Sequence, residues 1–229
     1  MIIIDSEGNT FFKNKQYEEA IAKYSEAISL DQTDVTFFSN RSACYAALNK
    51  WNEAAEDGRQ CIITDKSFVK GYFRAALGLQ NLGNLDGALD AVKRGLGIDP
   101  QNADLKKMSR EIEETQRLKK VEASISQAEQ QLSEKDYTSA YKTADAALRL
   151  DPNNKKLNLL MDKIRPLYEK SEKQRFASLD PKERIKEEGD TFFKNANFES
   201  AIKSYTRCLD SISDKVSLFT SYTIEIIHM

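Results

Sequence analysis

Over 229 residues the chain carries 34 Lys+Arg against 36 Asp+Glu, a formal net charge of -2, with 40% hydrophobic residues, 9 Gly and 4 Pro. That balance excludes a strongly basic nucleic-acid binder, a polybasic membrane-surface segment, a collagen-like chain and a disordered one. It suits a soluble, helix-rich protein with short loops. The single histidine is His228, which excludes a His-based triad and a His-cluster metal site. Cys44, Cys61 and Cys208 form no CxxC. A sparse, odd count points to a reducing compartment, so a cytoplasmic location is expected, with each thiol acting as a small buried apolar group. No apolar run approaches the ~20 residues of a membrane span. Met1-Ile2-Ile3-Ile4 gives way to Asp5, too short an apolar run for a signal-peptide core.

Along the chain, the first signal is a period. Ala20, Ala54 and Ala88 are spaced by 34 residues, preceded three positions earlier by Tyr17, Trp51 and Leu85 and nine positions earlier by Phe11, Tyr45 and Leu79. Seven residues after each alanine stands Ala27, Cys61 or Gly95. Small residues at fixed points let two helices approach, and the large ones fill the space between them. Ala20, Ile21, Tyr24, Ala27 and Ile28 follow helical spacing. Breaks fall at Asn14-Lys15, Asn49-Lys50 and Gly83-Asn84 within repeats, and at Asp31-Gln32, Asp65-Lys66 and Asp99-Pro100 between them. Each unit is therefore a helix of about fourteen residues, a tight turn and a second such helix.

Further on, Ala103-Asp104-Leu105 opens a polar helix expected to run to about Lys120 as a cap on the open apolar face. Ala140, Ala144 and Ala147, ending in Leu150-Asp151-Pro152, predict a degenerate fourth repeat over 121–154. A helix follows from Lys155 to about Phe176, with a kink or restart expected at Pro166, then a linker over 177–181. Glu188-Gly189-Asp190-Thr191-Phe192-Phe193-Lys194-Asn195 repeats Glu7-Gly8-Asn9-Thr10-Phe11-Phe12-Lys13-Asn14 in all but one position. Val216-Ser217-Leu218-Phe219-Thr220 parallels Val35-Thr36-Phe37-Phe38-Ser39, and the parallel stops at Ser221. A second array is thus expected to begin near residue 182 and to be cut short, the β-branched run after Thr223 being a poor helix former; a short C-terminal strand is the alternative. The expected layout is 1–120, 121–176 and 182–229.

These residues resemble the tetratricopeptide repeat family. Gly8, Phe11, Ala20, Tyr24 and Ala27 stand at its pattern positions in the first repeat. Ala76, Leu79, Ala88, Val92 and Pro100 do so in the third, where Gly95 departs from the usual alanine. The resemblance implies an all-α, right-handed superhelix built from helix-turn-helix units, two arrays being joined by a helical segment. The first helix of each pair lines its concave face.

On those first helices, Asn9, Asn40, Lys70 and Arg74 contribute nothing to packing. Lys70 and Arg74 lie one turn apart on one helix face. Two amides and two cations facing one groove suit a carboxylate ligand, with Arg74 binding it bidentately, Lys70 acting as a point charge and the amides donating. The set resembles the carboxylate clamp of chaperone-binding tetratricopeptide domains, in the family of the chaperone-organising co-chaperones. That resemblance implies a protein–protein interaction module for the Glu-Glu-Val-Asp tails of the 70- and 90-kilodalton heat-shock chaperones. A fifth clamp position, lysine in the family, is Asp5 here, which weakens the clamp or places the natural start upstream. In the second array Lys186 fills that position, but Asp190 and Ser221 replace the two asparagines, so a second working clamp is not expected there.

Phe12, Ala43 and Ala46 form either an apolar pocket for upstream ligand residues or ordinary repeat packing. Trp51, Tyr17 and Phe198 read as inter-helix core. The charged run from Lys106 to Lys120 reads as a solvated face. No cofactor, metal, nucleic acid, membrane or small-molecule substrate is expected, and no catalytic pattern appears. The rival reading is a generic repeat scaffold for a non-chaperone partner.

Overall fold

The computed structural model describes residues 2–210, with side chains from Ser6 onward. The expectations for Asp5 and for residues 216–227, Ser221 included, lie outside what it describes. Two compact units divide between Glu122 and Ala123.

In the first unit, α1 (Ile2–Lys13) pairs with α2 (Tyr17–Leu30), α3 (Val35–Ala47) with α4 (Trp51–Thr64), and α5 (Val69–Asn81) with α6 (Leu85–Ile98). The 34-residue period is thus a period of helical hairpins. Within each hairpin the turn reverses by the same device. The amide of Gln16 bonds the Phe11 carbonyl at 2.9 Å, Lys50 bonds Tyr45 at 2.9 Å, and Asn84 bonds Leu79 at 3.0 Å. This six-to-one bond closes a helix end through one left-handed residue. Those residues are Lys15 at φ 61°, Asn49 at 57° and Gly83 at 80°. Between hairpins, Asp31, Asp65 and Asp99 close the preceding helix. Their carboxylates accept from the amides of Thr33, Ser67 and Gln101 at 2.8, 2.8 and 3.1 Å, turning the chain into the next helix.

The period places the core. Ala20, Ala54 and Ala88 are all buried, as are Tyr24, Ala27, Cys61 and Val92. One cluster gathers Ala20, Tyr24 and Cys44 with Phe11, Tyr17 and Ile21. Another joins Ala76, Leu85, Ala88, Ala91 and Val92 to Leu105, Met108 and Ile112 on α7 (Ala103–Ser133). Gly95, the departure from alanine, has its reason here: a Cβ would stand 2.7 Å from Leu105 and 2.9 Å from Tyr72. Phe198 is a correction. It is 55% exposed and packs edge-on against Phe193 at 5.5 Å, as Tyr17 does against Phe12 at 5.6 Å.

The expected helix end at about Lys120 does not occur. From Leu118 to Ala123 no Gly, Pro or Asn interrupts a run of helix formers, and α7 runs unbroken for 31 residues. In the second unit, α8 (Tyr137–Leu150) buries Ala140, Ala144 and Ala147 against α9 (Lys155–Ser178). Pro166 does not restart α9, which continues through it. Leu157, Leu160, Met161 and Ile164 are buried before it, and Tyr168 stacks on Tyr141 at 4.3 Å after it. Packing on both sides offsets the lost helical bond. The linker shrinks to Leu179 and Asp180. Asp180 caps α10 (Pro181–Lys194) by accepting from the Lys182 and Glu183 amides, with Pro181 in the first turn. Residues 198–210 are again helical. Ala196 takes the left-handed turn position at φ 57°, and the Asn197 amide bonds the Phe192 carbonyl. Among the described residues there is no strand, and the architecture is a helix-turn-helix solenoid.

Candidate functional site

The cationic end of the site depends on how closely α4 and α5 pack. A Cβ on Gly58 would sit 2.2 Å from the Ala75 backbone nitrogen. Only glycine permits that approach, and it seats Arg74 against the α3–α4 hairpin. Burial depresses the Arg74 guanidinium, which lies near Cys61 and Cys44. Its Nε is buried without a hydrogen-bond partner, and the group lies 6.0 Å from the Phe73 ring. Lys70, one turn earlier, is also held below its ordinary value, first by burial and then by Arg74. Among the described residues no carboxylate forms an ion pair with either cation. Both side chains line a cavity of about 300 Å³ together with Val69, Phe73, Asn102 and Asp104.

Asn40 lies half-buried on α3, one turn before Cys44, the thiol near Arg74. Asn9 lies half-buried on α1 and accepts from the Tyr24 hydroxyl at 3.0 Å. That bond uses the acceptor end of the amide in packing between α1 and α2. Asp190 holds the same register and accepts from Tyr205 at 2.7 Å. Neither asparagine lines the Lys70–Arg74 cavity. Phe12 is turned onto Tyr17, while Ala43 and Ala46 are half-buried on α3.

The sequence reading missed a network beside the site. Arg41, next to Asn40, makes a two-pronged ion pair with Asp57 at 2.7 and 2.8 Å and donates to Ser25 at 2.9 Å. Its guanidinium also lies 5.8 Å from the Phe38 and Tyr45 rings. Burial pushes the Asp57 carboxyl up, against the pull of Arg41; the same hydrogen bonds push Arg41 up. The pair ties α3 to α4 and thereby fixes the helix that carries Asn40. A signal did exist: a buried-register aspartate on α4, sixteen residues from an arginine on α3.

The thiols are structural. Burial pushes Cys44 and Cys61 up to about 12, so both stay protonated. Cys61 donates to the Val35 carbonyl, and Cys208 donates to Lys182 at the same separation of 26 residues. Cys208 is half-buried rather than buried. Among the described residues no group of three potential ligands could hold a metal ion, and no helix is long and apolar enough to cross a membrane.

The first unit is thus a stack of helical hairpins with two cations on α5 lining one cavity. Residues 8–49 match the family model for the TPR repeat. Hsp70-Hsp90 organizing protein 3 of Arabidopsis thaliana is 42% identical over 95 residues, 42% of this chain and 17% of that protein. A DnaJ homolog subfamily C member 7 homolog of Dictyostelium discoideum is 26% identical over 270 residues, 94% of this chain and 49% of that protein. The chain thus spans less than half the length of these curated relatives. Among solved structures, the second TPR domain of human RPAP3, in complex with the HSP70 peptide SGPTIEEVD, is 30% identical. It covers 49% of this chain and 93% of its own, with a TM-score of 0.48.

Proposed function

We propose that the first unit is the peptide-binding module of a co-chaperone and grips the acidic C-terminal tails of 70- or 90-kilodalton heat-shock chaperones. The observation that carries this reading is the Lys70–Arg74 pair. Two like charges one turn apart, partly buried and without a carboxylate partner, raise the energy of the free protein. A bound carboxylate relieves it. Asn40 and the amide of Asn9 supply neutral donors along the same face. Ala43 and Ala46 form an apolar wall, and Phe12 supports α1 through Tyr17. The likeness to an Hsp70-Hsp90 organizing protein supports the choice of partner. The activity is binding, without catalysis, cofactor or metal, and its setting is the cytoplasm. The segment 121–176 is a degenerate hairpin with an extra helix, and residues 182–229 start a second array. The repeated octapeptide and the matching Tyr24–Asn9 and Tyr205–Asp190 bonds support that division.

The test is a titration with a nine-residue peptide ending in Glu-Glu-Val-Asp, as free acid and as C-terminal amide. Charge-assisted hydrogen bonds to the terminal carboxylate contribute roughly 1.5–3 kcal/mol each, so amidation is expected to weaken binding more than about tenfold. Binding of the free acid should also weaken with salt. Equal affinity for acid and amide would reject the carboxylate reading in favour of a generic scaffold.

A further inference from the structure

The cavity holding Lys70 and Arg74 has one wall of opposite charge. Asp104, in the first turn of α7, lines it as well. Asp104 and Phe73 also line a second cavity of about 260 Å³, with Leu77, Gln80, Met108 and Glu111. The two spaces share those residues and follow α5 and α7. Asp104 forms no ion pair with either cation, and what lowers Lys70 and Arg74 is burial first, with Arg74 acting on Lys70 as well. Nor does Asp104 have an ion-pair partner of its own among the described residues. The neighbouring groups are already engaged. Asn102 accepts from the Leu105 amide and donates to Asp99, and Lys107 pairs with Glu111 at 3.8 Å. The same cavity therefore offers two positive charges from α5 and one negative charge from α7, with no ion pair between them.

We propose that Asp104 is a specificity-determining residue. It selects ligands that carry a cationic side chain a few residues before their acidic terminus, and it disfavours an acidic one there. The inference rests on the carboxylate-binding reading above: Lys70 and Arg74 take the acidic end, and the ligand's own cation spans the groove to Asp104. The match is a charge pattern with a sign change, which a uniformly acidic tail lacks. Asp104 also complements the positive end of α7, but that role cannot tell apart two peptides that differ by one arginine.

The experiment is a cycle on the full chain. The probes are nine-residue peptides ending in Glu-Glu-Val-Asp. The parent has alanine at every upstream position, and three others carry arginine at one of the three positions directly before the tetrapeptide. Against the wild type, one placement is expected to tighten binding about 2- to 5-fold, the range of a partly exposed ion pair. Asp104→Asn should abolish that gain, read as the ratio of arginine-peptide to all-alanine-peptide affinity within the same variant. Asp104→Lys should reverse it, so that glutamate at the same position becomes the better residue. If the all-alanine peptide fails to bind the wild type, the carboxylate-binding reading itself has failed, and this inference with it. If that peptide binds but no arginine placement gains, or the gain survives in Asp104→Asn, only the role of Asp104 is overturned.

Discussion

Replacing Arg74 by methionine should separate binding from stability. The side chain stays long and fills similar space, but the charge and the orphaned Nε disappear. A buried donor left without a partner costs about 1–3 kcal/mol, and burial works against the Arg74 charge with no carboxylate to offset it. Part of that cost returns as lost packing around the guanidinium, so a net gain of about 1 kcal/mol is expected. For a chain of this size that raises the melting temperature by about 2–4 °C. Binding of a Glu-Glu-Val-Asp peptide should fall about 10- to 100-fold, the equivalent of one or two charge-assisted hydrogen bonds. Urea unfolding followed by far-ultraviolet circular dichroism measures the first effect and calorimetric titration the second. The midpoint is the quantity to compare, since repeat arrays need not unfold in one step. A lower midpoint with unchanged affinity would refute the reasoning, because Arg74 would then be a packing residue.

The remaining expectations concern the supports of the site. Asp57→Ala strands the Arg41 charge and should destabilise by about 3 kcal/mol, near the low end for a broken buried pair because Arg41 keeps 19% exposure; the double change to Arg41→Met and Asp57→Leu should recover most of that in the same urea assay. Gly58→Ala drives a methyl into the α5 backbone and should cost about 1–3 kcal/mol, with a parallel loss of peptide affinity as α5 shifts. Peptide binding should be full while Lys70 is protonated and weaken as pH rises through a value below the ordinary 10.5. Lys70→Arg should remove that alkaline fall, which titrations from pH 7 to 10.5 would show.

The hairpins were legible because their determinants are local and repeated. Ala20, Ala54 and Ala88 mark the close helix contacts, and the left-handed turns fall at Lys15, Asn49 and Gly83, at the expected breaks. Lys70 and Arg74 were legible because a four-residue spacing on one helix is a contact rule. What escaped depended on pairings that a one-dimensional reading weighs poorly. The continuity of α7 is an absence of breakers, harder to notice than a break. Arg41 and Asp57 both look like ordinary surface charges until two helices bring them together. Asp104 reads in the sequence only as part of the opening of a polar helix, just before the charged run from Lys106, and only the cavity singles it out.

The left-handed turn residues have a consequence for engineering. Lys15, Asn49, Lys135 and Ala196 all adopt positive φ without being glycine, a conformation that costs an L-residue roughly 1–2 kcal/mol and an asparagine less. Glycine already occupies the equivalent place at Gly83. Each turn is held by its backbone hydrogen bonds, so the side chain there is almost incidental. Lys15, Lys135 and Ala196 therefore represent a small reserve of recoverable strain. It lies on loop apices distant in sequence from Asn40, Lys70, Arg74 and Asp104, and a sturdier protein could draw on it without redesigning the binding groove.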